Sequence, residues 1–266
     1  MSPDSALAAV ILGAVQGVTE WIPVSSDGAI ATTSRYLFGS SLSEGVRMAF
    51  WLHLGTALAA TIYFRSAIWR LLRELVSRRG RLTPEMWFLG LATVVGGLVA
   101  LPLLVYLDQF SAALGGSAMF LVGIMLIATG LVQLRRREPG TRDRTQVTTV
   151  DGVMVGIAQG LSALPGLSRS AGTIGVMLAR RISGGEALSL SFLMSIPASV
   201  AAALYAGIDG GLFVSGSALL GVAVAAAVGL VTLRLLLAAA TRINFGKFVL
   251  IAGVAVILAA FFEWVV

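Results

Sequence analysis

Long apolar runs separated by short polar segments dominate the chain. Six runs are long enough for a helix that crosses a hydrocarbon layer, which needs about 20 residues; they lie at about 46–65, 86–107, 117–134, 187–207, 213–238 and 246–264. Two more apolar regions, about 6–38 and 151–181, are interrupted by proline, glycine and serine. Each predicts a re-entrant segment, in which a helix, a loop and a second helix enter and leave on one side. The alternative of two ordinary spans also fits an even number of crossings.

The composition supports a membrane protein with one domain over residues 1–266. Of the 266 residues, 57% are hydrophobic and only 12% are charged, and the mean hydropathy is +0.92. Soluble domains carry about 25% charged residues, so these charges could not cover a water-exposed surface. The chain has no cysteine and one histidine, His53, which excludes disulfides, thiolate metal sites and multi-histidine metal sites.

The basic residues predict the orientation. Sixteen of the 19 Lys and Arg residues fall on one side of a six-span arrangement with two re-entrant segments. The positive-inside rule places that side in the cytoplasm. Both termini and the first interrupted region then lie on the outer face, and the second enters from the cytoplasm. The net charge of +6 therefore indicates topology, and no nucleic-acid partner is expected.

The two interrupted regions resemble each other. GAVQGVTEWIPVSS at 13–26 and GIAQGLSALPGLSRS at 156–170 share a glycine, a Gln-Gly pair, a proline and serines in the same order. Three spans separate them, so the halves, about 6–107 and 117–264, form an inverted-topology repeat. Such repeats place their binding site on broken helices near the midplane. Chance similarity between Gly- and Ala-rich helices is the alternative.

The segment PGLSRSAGT predicts an anion site. Arginine at membrane depth is costly and by default marks function, and the fork of Arg169 suits bidentate binding of phosphate. Ser168 is positioned to cap the helix that follows, which would direct its first amides at the same anion. Ser170 and Thr173 add hydroxyl donors. A structural pairing of Arg169 with Glu20 is the alternative, and the two roles are compatible.

The segment TEWIPVSSDGA supplies the opposite charge. Glu20 is placed to bind a divalent metal or to take a proton, because a buried carboxylate suits general acid–base work. Ser26 is a candidate nucleophile or helix cap, while Ser25 and Asp27 also fit an ordinary cap and first-turn acid. We expect the two bends to share one polar chamber that holds Glu20 and Arg169.

Together, QGVTEWIPVSSDG and LPGLSRSAGT resemble the two signature regions of the undecaprenyl-diphosphatase family, the bacitracin-resistance type of integral-membrane phosphatase. The resemblance covers nearly the whole chain. It implies an all-α fold of six spanning helices plus two re-entrant helix pairs, removal of the terminal phosphate from a polyprenyl diphosphate, and a divalent cation, Mg²⁺ or Ca²⁺. By this resemblance Glu20 and Ser26 match the second glutamate and the proposed nucleophile of the family, and Ser168, Arg169, Ser170 and Thr173 match its diphosphate motif. With the residues that local chemistry adds, the candidate catalytic residues are Glu20, Ser26, His53 and Arg169. The candidate diphosphate ligands are Ser25, Ser168, Arg169, Ser170 and Thr173, and the candidate metal ligands are Glu20 and Asp27.

Three positions depart from the family pattern. Gln16 stands where the family has the first glutamate of its Glu-x-x-x-Glu motif, and Ala29 where it has a histidine. Asp27 replaces the usual Ser or Thr. Asp27 could restore the lost charge, and His53 could act as general base where the family more often has glutamine. The alternative is that His53 is merely hydrogen-bonded within an apolar helix.

The favoured function is hydrolysis of a polyprenyl diphosphate at the outer face, which recycles a lipid carrier for envelope glycan synthesis. The alternative is a transporter or flippase of a phosphorylated lipid or small anion, since inverted repeats with broken helices are typical of secondary transporters. The expected partners are the lipid substrate and the bilayer. The small residues of the last helices allow close packing within one chain or in a homodimer.

Overall fold

The computed structural model describes residues 5–105, 140–164, 167–210 and 215–240, together with isolated helical positions between 124 and 131 and between 247 and 261. Every regular element among these residues is an α-helix, so the all-α class is confirmed. Apart from those isolated positions, the predicted spans at 117–134 and 246–264 lie outside the described residues.

The observed helices follow the predicted apolar segments closely, with one additional helix. In chain order they are α1 (Ala6–Thr19), α2 (Ser26–Phe38), α3 (Leu42–Tyr63), α4 (Arg65–Ser77), α5 (Pro84–Val105), α6 (Thr149–Leu161), α7 (Arg169–Ala179), α8 (Gly184–Gly210) and α9 (Gly216–Ala240). The pairs α1–α2 and α6–α7 occupy the two interrupted regions, so each region contains two helices as predicted. Their re-entrant arrangement stays a prediction. Helix α4 lies between two predicted spans, in a segment for which the apolar pattern predicts no helix.

Among the described residues, α5, α8 and α9 are long and apolar enough to cross a membrane. Helix α3 has 22 residues and occupies a predicted span, but it is not in this group, and its first turns carry Glu44 and Arg47. Helices α1 and α6 are apolar but have only 14 and 13 residues. At 1.5 Å per residue neither reaches across a core about 30 Å thick.

Polar caps explain where several helices begin. Ser41 and Glu44 form a reciprocal capping box at α3, which satisfies amides that the first turn leaves unpaired. Helix α3 therefore begins four residues before the apolar run that predicted it. At the other end of this connection, Gly39 follows and caps α2, and its φ of 75° is a left-handed conformation that glycine adopts without strain.

One compact unit comprises Met1–Phe64 and Ser195–Leu236. Within it, a glycine-lined face of α1 lies directly against the backbone of α9. A Cβ added to Gly13 would lie 2.5 Å from the Gly221 oxygen, and one added to Gly17 would lie 2.7 Å from the Gly229 nitrogen. Thr232 Oγ1 donates to the Gly17 carbonyl at 2.6 Å. Only glycine permits this approach, as in small-residue contacts between membrane helices.

The second compact unit comprises Arg65–Met194 and Leu237–Val266, and it repeats this packing with α6 and α5. A Cβ on Gly156 would lie 2.9 Å from the Ala92 oxygen, and one on Gly160 would lie 2.6 Å from the Gly96 oxygen. By sequence alignment Gly156 and Gly160 are the counterparts of Gly13 and Gly17. The first helix of each interrupted region thus packs against a long helix through equivalent glycines.

Ion pairs tie the basic loop before α6 to the helices of the second unit. Arg142 and Arg180 both bind the fully buried Asp151 carboxylate, with Arg180 Nε at 2.7 Å. Burial by itself raises the pKa of Asp151, but hydrogen bonds from these two guanidinium groups outweigh it and hold the pKa well below its ordinary value. Arg144 likewise bridges Glu85 and Glu186. The sequence analysis used these arginines only to predict topology. In the structure they also form ion pairs that stabilise the helix ends.

Candidate active site

The first group of candidate residues surrounds the Glu20 carboxylate, where α1 ends. The Glu20 side chain is only 2% exposed. Its Oε2 accepts a hydrogen bond from Gln16 Nε2 at 2.9 Å and another from Ser26 Oγ at 3.1 Å. Gln16 is one helical turn before Glu20, so its neutral amide holds the Glu20 carboxylate in place and adds no second negative charge.

His53 on α3 approaches the same carboxylate. Its Nδ1 lies 2.6 Å from the Ala49 carbonyl oxygen, and because a carbonyl only accepts, Nδ1 must carry a proton. Its Nε2 faces two acids, at 3.3 Å from Glu20 Oε2 and 3.8 Å from Asp27 Oδ1. This arrangement suits Nε2 to take and return a proton.

Ser25 and Ser26 have different positions at the start of α2. The Ser25 side chain caps the helix by accepting from the Gly28 amide at 3.1 Å. Ser26 is the first helical residue, and its hydroxyl donates to Glu20, which is the contact expected of a hydroxyl nucleophile beside its base. Asp27 follows in the first turn. The role of Ser25 in binding the diphosphate stays a prediction.

The second group is built at the start of α7 in a similar way. Ser168 caps α7 by accepting from the Ala171 amide at 3.2 Å. Arg169 is the first helical residue, and its Nη1 donates to the Ser191 carbonyl oxygen on α8 at 3.2 Å. The guanidinium is thereby placed at a helix N-terminus, where the unpaired amides and the helix dipole also favour an anion.

The hydroxyl groups of the second group are buried and linked. Ser170 Oγ lies 3.2 Å from Ser168 Oγ. Thr173 Oγ1 lies 2.7 Å from Ser191 Oγ and also donates to the Arg169 carbonyl at 2.8 Å. Sequence reasoning did not name Ser191, although a signal was present. Serines recur every four residues on α8, at 191, 195 and 199, and all three are buried.

The structure therefore brings Glu20, Ser26, Asp27 and His53 together in the first unit, and Ser168, Arg169, Ser170 and Thr173 together in the second. The expectation that both groups share one chamber stays a prediction.

The oxygen atoms near Glu20 provide only part of the ligand set that a metal cation requires. No cluster of three or more His, Asp or Glu residues that could hold a metal is found within the described segments. Two carboxylates, Glu20 and Asp27, nevertheless face the same histidine. The Gln16 Oε1 atom is buried and has no hydrogen-bond partner among the residues that the structure describes. Mg²⁺ is commonly held by one or two carboxylates together with substrate phosphates and water. The oxygens near Glu20 match the protein share of such a Mg²⁺ site, and the remaining ligands would come from substrate and water.

Comparison with known proteins agrees with this chemistry. Residues 9–258 match the family described as Bacitracin resistance protein BacA. A protein of Methanococcoides burtonii named undecaprenyl-diphosphatase is 39% identical over 259 residues, which cover 95% of this chain and 97% of the relative. Proteins of the same name from Methanopyrus kandleri and Haloarcula marismortui are 38% and 40% identical, covering 92% and 77% of this chain and 92% and 78% of their own lengths.

Proposed function

Because this chain belongs to the bacitracin resistance protein BacA family, we propose that it hydrolyses undecaprenyl diphosphate to undecaprenyl phosphate and inorganic phosphate. It is a membrane-embedded protein, as its family and its apolar helices indicate. The observation that carries the proposal is the Ser26–Glu20–His53 arrangement, in which a hydroxyl donates to a carboxylate that also faces a histidine. A transporter needs no such arrangement, and the names of the relatives favour hydrolysis over transport.

In the proposed reaction, Arg169 and the first amides of α7 neutralise the diphosphate. Phosphoryl transfer depends chiefly on positioning and on stabilising charge that spreads over the phosphoryl oxygens. A planar guanidinium at a capped helix N-terminus supplies both. Ser168, Ser170 and Thr173 would complete the ligand set with hydroxyl donors.

The group around Glu20 would activate the nucleophile. An oxygen, from Ser26 or from a water that takes its place at Glu20, attacks the terminal phosphorus, and the bond to the bridging oxygen breaks. Glu20 accepts the proton of the nucleophile, and His53 Nε2, held beside it, stores that proton. Undecaprenyl phosphate leaves with the bridging oxygen. If Ser26 attacks, water then hydrolyses the phosphoserine and completes the cycle.

We also propose Mg²⁺ as the cation, held by Glu20 and Asp27 and completed by the diphosphate and water. It would supply further neutralisation of phosphate charge when bound. Mg²⁺ usually keeps several waters and needs only one or two carboxylates plus substrate phosphates, whereas Ca²⁺, the other expected ion, usually draws more of its six to eight ligands from protein oxygens.

The proposed membrane arrangement has six spans, with α1–α2 and α6–α7 as re-entrant pairs of an inverted repeat and both termini on the outer face. The cysteine-free chain suits labelling by single introduced cysteines. We expect Ser77→Cys, after α4, to react with an impermeant thiol reagent only from the cytoplasmic side. Ser215→Cys, before α9, should react only from outside. Labelling of both from one side would contradict this topology.

The test of the function is phosphate release by purified protein from undecaprenyl diphosphate, with and without EDTA. We expect release that EDTA suppresses and that Mg²⁺ restores. Ser26→Ala and Glu20→Gln should each abolish it, while Ser34→Ala, a matched change of a buried serine on the same helix α2, should leave it. Absence of release with Mg²⁺ present, together with movement of a phosphorylated lipid across vesicles, would instead establish the transporter alternative.

A further inference from the structure

Helix α4 presents an apolar strip on its surface. Trp69, Leu72 and Val76 follow one another at spacings of three and four residues, which places them on one face of the helix. They are 68%, 49% and 79% exposed. No residue of α4, all of which the structure describes, is buried. Large apolar side chains grouped on an exposed face mark a surface that binds a partner.

An ion pair fixes α4 at the level where a membrane span begins. Arg70 Nη2 donates to both carboxylate oxygens of Glu85, at 2.8 Å and 3.0 Å. Glu85 is the second residue of α5, which is long and apolar enough to cross a membrane. Trp69 is the neighbour of Arg70, so the apolar strip lies near the boundary between hydrocarbon and headgroups. Tryptophan is enriched at this boundary.

The segment that contains the strip is strongly basic. Residues 65–81 include six arginines and one acid, Glu74. Arg78, Arg79 and Arg81 follow the last turn of α4 and are exposed. None of these three forms an ion pair with another residue in the described segments. Arginines beside a face of tryptophan and leucine are typical of helices that lie in the headgroup region of a membrane.

Arg79 is held in a backbone conformation that arginine rarely adopts. Its φ is 53°, in the left-handed region where helices usually end with glycine. The Arg79 amide donates to the Val76 carbonyl at 3.1 Å, and the Gly80 amide donates to the Leu75 carbonyl at 2.9 Å. These are the two bonds of a Schellman motif. Glycine would close this helix with less strain, so the arginine adds a charge that the helix end does not need.

We propose that α4 is an interfacial helix that binds anionic phospholipids. The apolar strip of Trp69, Leu72 and Val76 lies among the upper acyl carbons, and the three arginines that follow α4 bind the lipid phosphates. Phospholipids supply hydrocarbon and negative charge together, so one kind of partner satisfies both parts of the surface. A second copy of this chain that packed through the same strip would bring like charges together. The surface is separate from the candidate catalytic residues, none of which lies within 65–81.

The test uses the cysteine-free chain with a fluorophore on one introduced cysteine, Val76→Cys. The labelled full-length protein is reconstituted into phosphatidylcholine vesicles that contain a spin-labelled quencher lipid, either phosphatidylglycerol or phosphatidylcholine. Quenching by each gives the relative binding constant of the two lipids at α4. We expect phosphatidylglycerol to bind at least about tenfold more tightly, since each arginine near an anionic surface contributes about fivefold. High salt should reduce this preference, because it screens exposed charges.

The triple variant Arg78→Gln, Arg79→Gln, Arg81→Gln should bring the binding ratio close to one. The matched control is a fluorophore at Val94→Cys on α5, which is 59% exposed and lies within a predicted span. Both lipids should quench it equally with and without the three substitutions, which also shows that the variant is still inserted. Equal quenching by the two lipids at position 76 of the otherwise unchanged chain would overturn the proposal.

Absence of quenching by either lipid at position 76 would also overturn the proposal, because it would mean that water or a second copy of the chain covers the strip.

Arg79→Gly separates the charge from the fold. It should lower the preference for phosphatidylglycerol by about fivefold, the contribution of one arginine. It should also raise the melting temperature in detergent, because glycine adopts the left-handed conformation without strain. An unchanged preference would contradict the assignment of Arg79 to lipid phosphate. None of these measurements depends on phosphatase activity.

Discussion

The α1–α2 and α6–α7 pairs have the same plan and opposite chemistry. In both, glycines of the first helix lie against a long helix, and a serine caps the second helix. The residue after the cap is Ser26 in one pair and Arg169 in the other. The first pair collects carboxylates around a hydroxyl, and the second collects a guanidinium and hydroxyl donors.

This difference shows which features the fold requires and which are free to serve chemistry. The equivalent glycines and caps hold the same backbone in both pairs, whereas the first positions of α2 and α7 differ completely. A duplicated frame thus presents a base and nucleophile at one bend and an anion receptor at the other. Diphosphate hydrolysis needs both functions.

The largest effect should come from removing the anion receptor. Arg169→Ala should lower kcat/KM for undecaprenyl diphosphate by about a thousandfold, the lower end of what a transition-state arginine contributes to phosphoryl transfer. Arg169→Lys keeps the charge but loses the fork, so headgroup binding should still weaken heavily. The control is Arg73→Gln on α4, an exposed arginine. Wild-type binding by the lysine variant would refute bidentate recognition.

Removing the histidine tests the other bend. His53→Ala should lower kcat by about a hundredfold with little change in KM, the usual contribution of a general base. His53→Gln should retain contact with Glu20 but lose the ability to take and return a proton, so its kcat should fall as far as that of His53→Ala. Adding Ala29→His, which introduces the histidine that the motif resemblance leads us to expect on α2, should recover activity in the His53→Gln background. Unchanged turnover in His53→Ala would leave this histidine with a packing role only.

Because equivalent glycines form the helix contacts in both pairs, Gly→Ala substitutions should destabilise the two pairs equally. Gly17→Ala and Gly160→Ala each place a Cβ within 2.7 Å of backbone, so each should destabilise the protein by about 2 kcal/mol, the typical cost of overpacking. Gly97→Ala on α5 is the matched control, because a Cβ there meets nothing within 4 Å. Thermal melting in detergent measures all three. A cost in one pair alone would show that the two contacts are not equivalent.

The smallest predicted effect is a difference between the two helix pairs in how their stability depends on pH. The pKa of Asp151 is held below its ordinary value by Arg142 and Arg180, so its stabilising contribution is complete above the unfolded pKa of about 3.9. It is lost as pH falls through the lower folded pKa. Helix α1 begins with the uncharged Ser5 cap and has no such contribution.

Hydrogen exchange measures this difference. Below pH 4, protection of α6 amides, corrected for intrinsic rates, should fall by up to about tenfold per pH unit, while protection of α1 should not. Asp151→Asn should remove the pH dependence. Equal loss of protection in both helices would contradict a specific role for Asp151.

The sequence predicted the helices well where a single physical rule decides them. Apolar length indicated α5, α8 and α9, and Pro23 located the bend between α1 and α2. Helix α4 was missed because its arginines masked apolar residues at helical spacing, such as Ile68, Leu72 and Leu75. The Ser168 cap was predicted because capping is local.

Other features depend on contacts between distant positions. The Ser191 carbonyl that receives Arg169 and the Asp151 pairing with Arg180 join residues 22 and 29 positions apart. No local pattern identifies such partners. The direction of the His53 ring likewise follows from its bond to the Ala49 carbonyl, which became evident only with side chains in place.

The glycine contacts impose an order on synthesis at the ribosome. Helix α6 finds α5 already made, since Trp87 and Thr149, which join them, are 62 positions apart. Helix α1 must wait for α9, because Trp21 bonds to Gly229 across 208 positions. At about 5–20 residues per second, translation leaves α1 without this neighbour for roughly 10–40 seconds. The amino-terminal pair therefore lacks its α9 contacts throughout that interval, whereas α6 can pack against α5 as soon as it is made.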